Sequence, residues 1–154
     1  MKRIVLLLLC GLLAACGTGP VRRVSEPSAN IQQLTVRADG SWAVDLRIDN
    51  FSSVPMRFDR VSLALTVGGQ SAGTLQGTPA LGIGPEAADV ASLTLAPSAA
   101  AKIVVADALA RGANLDYKLD GTIDAAAEDG KARSYSIDRQ NALSPVPGLT
   151  GVMR

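Results

Sequence analysis

Histidine is absent from all 154 residues. That removes the side chain whose unperturbed pKa lies nearest neutrality, and with it the commonest general base and transition-metal ligand. Cysteine occurs only as Cys10 and Cys16, both close to the start of the sequence. Aromatic residues make up 3% of the chain, so a core has to be assembled from Val, Leu, Ile and Ala. Neither sign of charge dominates, with 15 basic residues against 14 acidic ones. A chain so balanced lacks the basic footprint of a nucleic-acid binder. Without histidine, a serine nucleophile would need a lysine as its base. Beyond Lys2 the lysines are Lys102, Lys118 and Lys131, and none stands in a Ser-x-x-Lys pattern. Ser92, Ser134 and Ser136 therefore come without a nucleophile–base–oxyanion set, and the expectation is no catalytic residue, no metal ligand and no cofactor.

What is present begins with a secretory pattern. Lys2 and Arg3 precede the aliphatic residues 4–9, the apolar run continues to Leu13, and Ala14, Ala15 and Cys16 follow. A basic start, an apolar stretch and a small-residue cleavage site make a signal peptide. The stretch is shorter than the ~20 apolar residues that span a bilayer. Leu13-Ala14-Ala15-Cys16 resembles the lipobox of bacterial lipoproteins, whose cysteine thiol takes a diacylglyceryl group before cleavage directly ahead of it. That resemblance implies residues 1–15 as signal, Cys16 as the lipid-attachment residue and membrane lipid as a partner. Cys10 does not compete, because it lies inside the apolar run behind bulky Leu9. Several acyl chains on one cysteine give stable anchoring, at ~0.8 kcal/mol per buried CH₂. With Cys10 removed and Cys16 acylated, no thiol is left for a disulfide. Loss of Lys2 and Arg3 also takes the 15 basic residues down to 13, one fewer than the 14 acidic ones. Gly17, directly after the anchor, is not the aspartate that retains lipoproteins in the inner membrane of diderm bacteria. The expected place is thus the outer membrane, facing the periplasm.

Residues 16–30 read as the lipidated cysteine and a linker, rich in Gly, Pro and Ser, with a reach of ~45 Å at full stretch. From residue 31 the pattern is β. Leu34 and Val36 alternate, Asp39-Gly40 is a hairpin signal, and Trp42, Val44, Leu46 and Ile48 alternate with Ala43, Asp45, Arg47 and Asp49. Trp42 thereby falls on the core face. Val61, Leu63, Leu65 and Val67 make a further strand, with Gly68-Gly69 as a two-residue turn and residues 70–74 returning. Residues 75–88 read as a surface crossing, and residues 90–95 as a strand placing Ala91, Leu93 and Leu95 on one face. Ser98 and Gly112 bracket a helix, with Ile103, Val104, Ala108 and Leu109 on its buried face; the β-branched run leaves a strand over residues 102–106 as the alternative. Leu115, Tyr117, Leu119, Gly121 and Ile123 alternate with polar residues, residues 128–131 form a hairpin tip, and Tyr135 and Ile137 face inward on the return. Residues 141–154 read as a Pro/Gly-rich tail along the domain edge. The sum is one domain over residues 31–140: all-β with one short helix, an antiparallel β-sandwich.

Four short pieces carry a further resemblance. They are Val44-Asp45-Leu46-Arg47-Ile48-Asp49-Asn50, Val67-Gly68-Gly69-Gln70-Ser71-Ala72-Gly73, Ile83-Gly84-Pro85-Glu86 and Tyr117-Lys118-Leu119-Asp120-Gly121. Together they resemble the late embryogenesis abundant type 2 family, also called the water stress and hypersensitive response (WHy) domain. The family's usual Asn-Pro-Asn turn reads Asn50-Phe51-Ser52 here. The resemblance implies a fibronectin III or immunoglobulin-like sandwich with one helix, an association with desiccation and stress, and no active site to carry over. Asn50 then belongs to a structural turn, in keeping with the habit of Asx side chains to bond their own backbone. Asp116, Asp120 and Asp124 share a strand face, but residues four apart on a strand lie ~13 Å from one another, too far to chelate one cation. The functional expectation is a non-enzymatic, membrane-anchored stress-protective or interaction module. The alternative is an accessory subunit that docks onto another envelope protein.

Overall fold

Alternation of apolar and polar side chains sets the sheets. The computed structural model describes Gly19 and residues 22–154. Its strands are β1 (Ser28–Val36), β2 (Trp42–Asn50), β3 (Met56–Val67), β4 (Gln70–Gly77), β5 (Leu81–Ile83), β6 (Ala87–Leu95), β7 (Leu115–Ala127), β8 (Arg133–Leu143) and β9 (Val152–Met153), with a helix α1 (Ala99–Arg111) between β6 and β7. One sheet runs β6-β2-β1-β9 and the other β4-β3-β7-β8, with β5 pairing on β3 beyond the end of β4. Every pairing is antiparallel. Two such sheets, each apolar on one face, bury those faces against each other. Trp42, Val44, Leu46 and Ile48 of β2 and Val61, Leu63, Leu65 and Val67 of β3 all lie within that core, as do Leu119 and Ile123 of β7. The expected sandwich with one helix is the fold.

The chain runs alternately between two ends. The segment before β1, the β2–β3 loop, the β5–β6 turn and the β7–β8 tip share one end; α1 and residues 144–151 share the other. The longest strand, β7, has 13 residues, so the ends lie ~40 Å apart at 3.3 Å per residue.

The helix forms where its caps predict. Ser98 Oγ accepts from Ala101 N at 3.2 Å, and Gly112 closes the last turn at φ +62°. Ser98 Oγ also donates to Ser71 O at 2.6 Å, tying the helix start to β4. The helix face differs from expectation. Ala101, Val105 and Ala108 are buried, Val104 and Leu109 are partly covered, and Ile103 is 70% exposed. The helix lies over the rim of the sandwich, where two alanines let its backbone approach closely. Val104 faces the β3–β4 turn, where a Cβ on Gly68 would come within 2.5 Å of it. Gly68 and Gly69, at φ +50° and +79°, make the two-residue turn that fits the twist of a hairpin.

Several loop readings become structure. β5 falls inside the expected crossing of residues 75–88. The expected linker of residues 16–30 ends early, because β1 begins at Ser28. The expected tail of residues 141–154 is part of the fold: β8 continues to Leu143, and Met153 on β9 is fully buried against β1. Pro and Gly mark irregular backbone well but carry no information on where that backbone docks.

A bulge in β1 between Ile31 and Gln33 shifts the phase of alternation, so Ala29 and Ile31 point inward before it and Leu34 after it. The bulge releases the Ile31 N–H from the β2 ladder. Tyr117 on the opposite sheet accepts it through its hydroxyl at 3.0 Å. Burial raises the Tyr117 phenol above its ordinary value of 10.0, an effect that the Ile31 hydrogen bond partly offsets. The folded state therefore holds this proton more tightly than the unfolded chain. That contribution is whole below the ordinary value and is lost as pH rises above it, through the raised folded-state value. Tyr117→Phe leaves the Ile31 N–H unpaired. Urea titration at neutral pH should show a loss of about 1–3 kcal/mol. The variant should also lack this part of the alkaline instability. Equal midpoints for the two proteins would refute the assignment.

Candidate functional site

The end of the sandwich where β1 begins brings together the β2–β3 loop, the β5–β6 turn and the β7–β8 tip. Asn50 closes β2 there and is 1% exposed. Its Nδ2 donates to the carbonyls of Val54 (3.0 Å), Ile83 (3.2 Å) and Gly84 (2.9 Å), and its Oδ1 accepts from Ser52 N at 2.9 Å. One amide thus holds the β2–β3 loop together and clamps it to the end of β5. An amide suits this position because it donates and accepts at once. Besides its own loop, Asn50 reaches the end of β5, a contact that its local sequence did not signal.

Ser52 and Ser53 extend the clamp to the segment ahead of β1. Ser25 N donates to Ser52 Oγ at 3.0 Å, and Ser52 Oγ lies 3.0 Å from the Met56 sulfur. Arg23 N donates to Ser53 Oγ at 2.8 Å, and Ser53 N donates to Arg23 O at 2.9 Å. The guanidinium groups of the adjacent arginines reach to both sides. Arg23 pairs with Glu86 at 3.4 Å, while Arg22 donates to Glu128 O at 3.3 Å and lies 4.0 Å from Asp129. Residues 22–27 therefore lie across this end instead of hanging from it.

Beside this segment opens a cleft of ~670 Å³, bounded by Pro55, Arg57, Gly82, Ala126, Glu128 and Gly130. Its floor is backbone and small side chains, and its one cation, Arg57, is paired with Asp59 at 2.7 Å. Val24 and Phe51 stand out from the same end, 46% and 50% exposed. At the opposite end a broader groove of ~860 Å³ runs between α1 and residues 145–151, bordered by Val36, Leu109, Val146 and Leu149.

The remaining polar residues singled out in the sequence are dispersed. Asp116, Asp120 and Asp124 spread along the outer face of β7. Lys118 sits between Asp120 (3.3 Å) and Asp138 (3.4 Å), which raises its pKa through those hydrogen bonds, and Ser134 donates to Asp124 at 2.7 Å. Ser92 donates to Asp45 across β6 and β2 at 2.6 Å. Arg47 pairs with Asp49 along β2 at 3.1 Å. Trp42 is core, 1% exposed. Leu13, Ala14, Ala15 and Cys16 lie outside the described residues.

A family model described as late embryogenesis abundant protein matches residues 45–141, more than half of the sequence. The chain belongs to the late embryogenesis abundant type 2 family. The match runs from β2 into β8 and so takes in the Asn50 turn, the helix and the Tyr117–Gly121 motif. A solution structure of a late embryogenesis abundant protein resembles this family member at 15% identity, covering 95% of this chain and 87% of that one, with a TM-score of 0.48. A crystal structure of a protein from Archaeoglobus fulgidus shares 14% identity over 80% of this chain and 98% of its own, at a TM-score of 0.45. A solution structure from Arabidopsis thaliana shares 13% identity over 85% of each chain, at 0.43. No curated protein matches the sequence. Among the described residues of this late embryogenesis abundant domain, no helix is long and apolar enough to cross a membrane.

Proposed function

We propose that this protein is a lipoprotein of the bacterial cell envelope that carries a non-enzymatic late embryogenesis abundant domain of the WHy kind as a stress-protective or interaction module. The family match over residues 45–141 carries the reading of the domain. The signal-like start and Leu13-Ala14-Ala15-Cys16 support cleavage before Cys16, acylation of its thiol and retention by membrane lipid. Gly17 supports the outer membrane, facing the periplasm. The lack of histidine and the dispersal of the serines and aspartates support action by contact.

Cys16→Ser is the direct test. Mass spectrometry should find acyl mass on Cys16 of the wild type and none on Cys16→Ser, which should also keep residues 1–15 because acylation of the thiol precedes cleavage. A wild-type Cys16 without acyl mass, or a Cys16→Ser chain still cut ahead of residue 16, would overturn the anchor. Survival of a deletion strain equal to wild type under drying and osmotic stress would overturn the protective role.

A second reading, an accessory subunit on another envelope protein, is favoured by the groove between α1 and residues 145–151. It is bordered by apolar side chains, with Leu149 51% exposed. Crosslinking in intact cells from this end should capture one stoichiometric protein partner.

A further inference from the structure

Val24 and Phe51 are two of four large apolar side chains left exposed among the described residues; Ile103 on α1 and Leu149 beyond β8 are the others. The first pair shares the end where residues 22–27 are docked. Ser53 pins Arg23 there through both its amide and its hydroxyl. Only about seven residues separate Cys16 from that pin, which is ~25 Å of chain at full stretch and ~15 Å as a flexible coil. Both lengths are shorter than the ~40 Å sandwich. The docked segment thus shortens the reach suggested by the sequence and fixes which end of the domain the tether leaves from.

We infer that the domain stands on the bilayer by this end, with Val24 and Phe51 seated in the headgroup region of the membrane. The inference rests on the lipid anchor proposed for Cys16. A half-exposed phenylalanine and valine beside an acyl anchor add apolar contact to the tether, as interfacial anchors do. The cations beside them contribute little, since Arg22, Arg23 and Arg57 each face a carboxylate: Asp129, Glu86 and Asp59. Paired in this way, they lack the clustered free charge that makes binding depend on anionic lipid. The contact is therefore expected to persist at high salt and on zwitterionic lipid.

The test uses the lipidated chain extracted from cells and reconstituted into phosphatidylcholine vesicles, after mass spectrometry of Cys16. With Cys16 acylated, an introduced cysteine is the sole thiol. Phe51→Cys and Leu149→Cys, from positions 50% and 51% exposed at opposite ends, are labelled with the same environment-sensitive fluorophore. Headgroup spin-labelled lipid should quench the probe at residue 51 at least about twofold more than the probe at residue 149, in low and high salt alike. Equal quenching on an acylated chain, or stronger quenching at residue 149, overturns the orientation and leaves the anchor standing. Quenching at residue 51 that disappears in high salt overturns the apolar nature of the contact. A Cys16 without acyl mass overturns the anchor and the orientation together.

Discussion

Gly121→Ala should lower the melting temperature of the domain by ~10 °C or more, the largest effect expected of any single methyl group here. Gly121 lies on β7 opposite Leu63 of β3, in the middle of the β3–β7 pairing. Its φ is +152°, and a Cβ placed on it would meet the Ser62 carbonyl oxygen at 2.2 Å and Leu63 Cα at 3.1 Å. Those atoms are backbone, so no side chain can swing away to make room. Either the two strands separate or Gly121 abandons its backbone conformation, and each breaks ladder bonds in a central pair. A cost of at least ~3 kcal/mol follows from overpacking and a disfavoured φ together. Since domains of this size have only ~5–15 kcal/mol in total, that is a large share. Gly82→Ala supplies the control, because nothing lies within 4 Å of its Cβ position; calorimetry should show it nearly unchanged. Similar melting of the two variants would refute the close approach of β7 to β3.

Asn50→Asp should be nearly as damaging, although it exchanges one NH₂ for an oxygen. The carboxylate keeps its bond from Ser52 N but turns toward the carbonyls of Val54, Ile83 and Gly84, all acceptors. Three donor contacts become repulsions at a site 1% exposed. A loss of about 3 kcal/mol or more is expected from the unsatisfied acceptors and the unpaired charge. The sign of its pH dependence is distinctive. Such a carboxyl would have its folded-state pKa raised above the ordinary ~3.9, so the protonated acid is the form that folding favours. The deficit should be smallest below pH ~4 and should grow as pH rises through the raised value. Denaturant midpoints of Asn50→Asp, Asn50→Ala and wild type between pH 4 and 8 measure this. A constant gap between Asn50→Asp and wild type across that range would argue against the clamp.

These two residues show what could be read from the sequence. Gly121 and Asn50 both stand in the pieces that resemble the family, and both strands were legible because one face of each is buried and the other wet. The helix was legible from Ser98 and Gly112, since caps act locally. Its buried face was misjudged because hydrophobicity favoured Ile103, whereas the rim of the sandwich selects small residues that allow close approach. The Tyr117–Ile31 bond was illegible for a different reason. It depends on a bulge in a strand 86 residues away in sequence, and nothing local to either residue encodes it. The docking of residues 22–27 was hidden in the same way, because it joins Arg23 and Ser25 to serine hydroxyls that lie 30 and 27 residues away in sequence. The cleft beside Arg57 arises from the meeting of three loops and has no motif of its own.

The β1 bulge has one more consequence. An outermost strand with a regular row of free amides is a template onto which another copy can add its own strand. On β1, residues Leu34 and Thr35 are already taken by β9, the bulge breaks the row below them, and the Ile31 amide is spent on Tyr117. Any rise in concentration, whether by loss of water or by confinement to a surface, brings copies together and tests such edges first. Here that border of the sheet is blunted, so crowding can press neighbouring domains together without stitching them into fibres along β1.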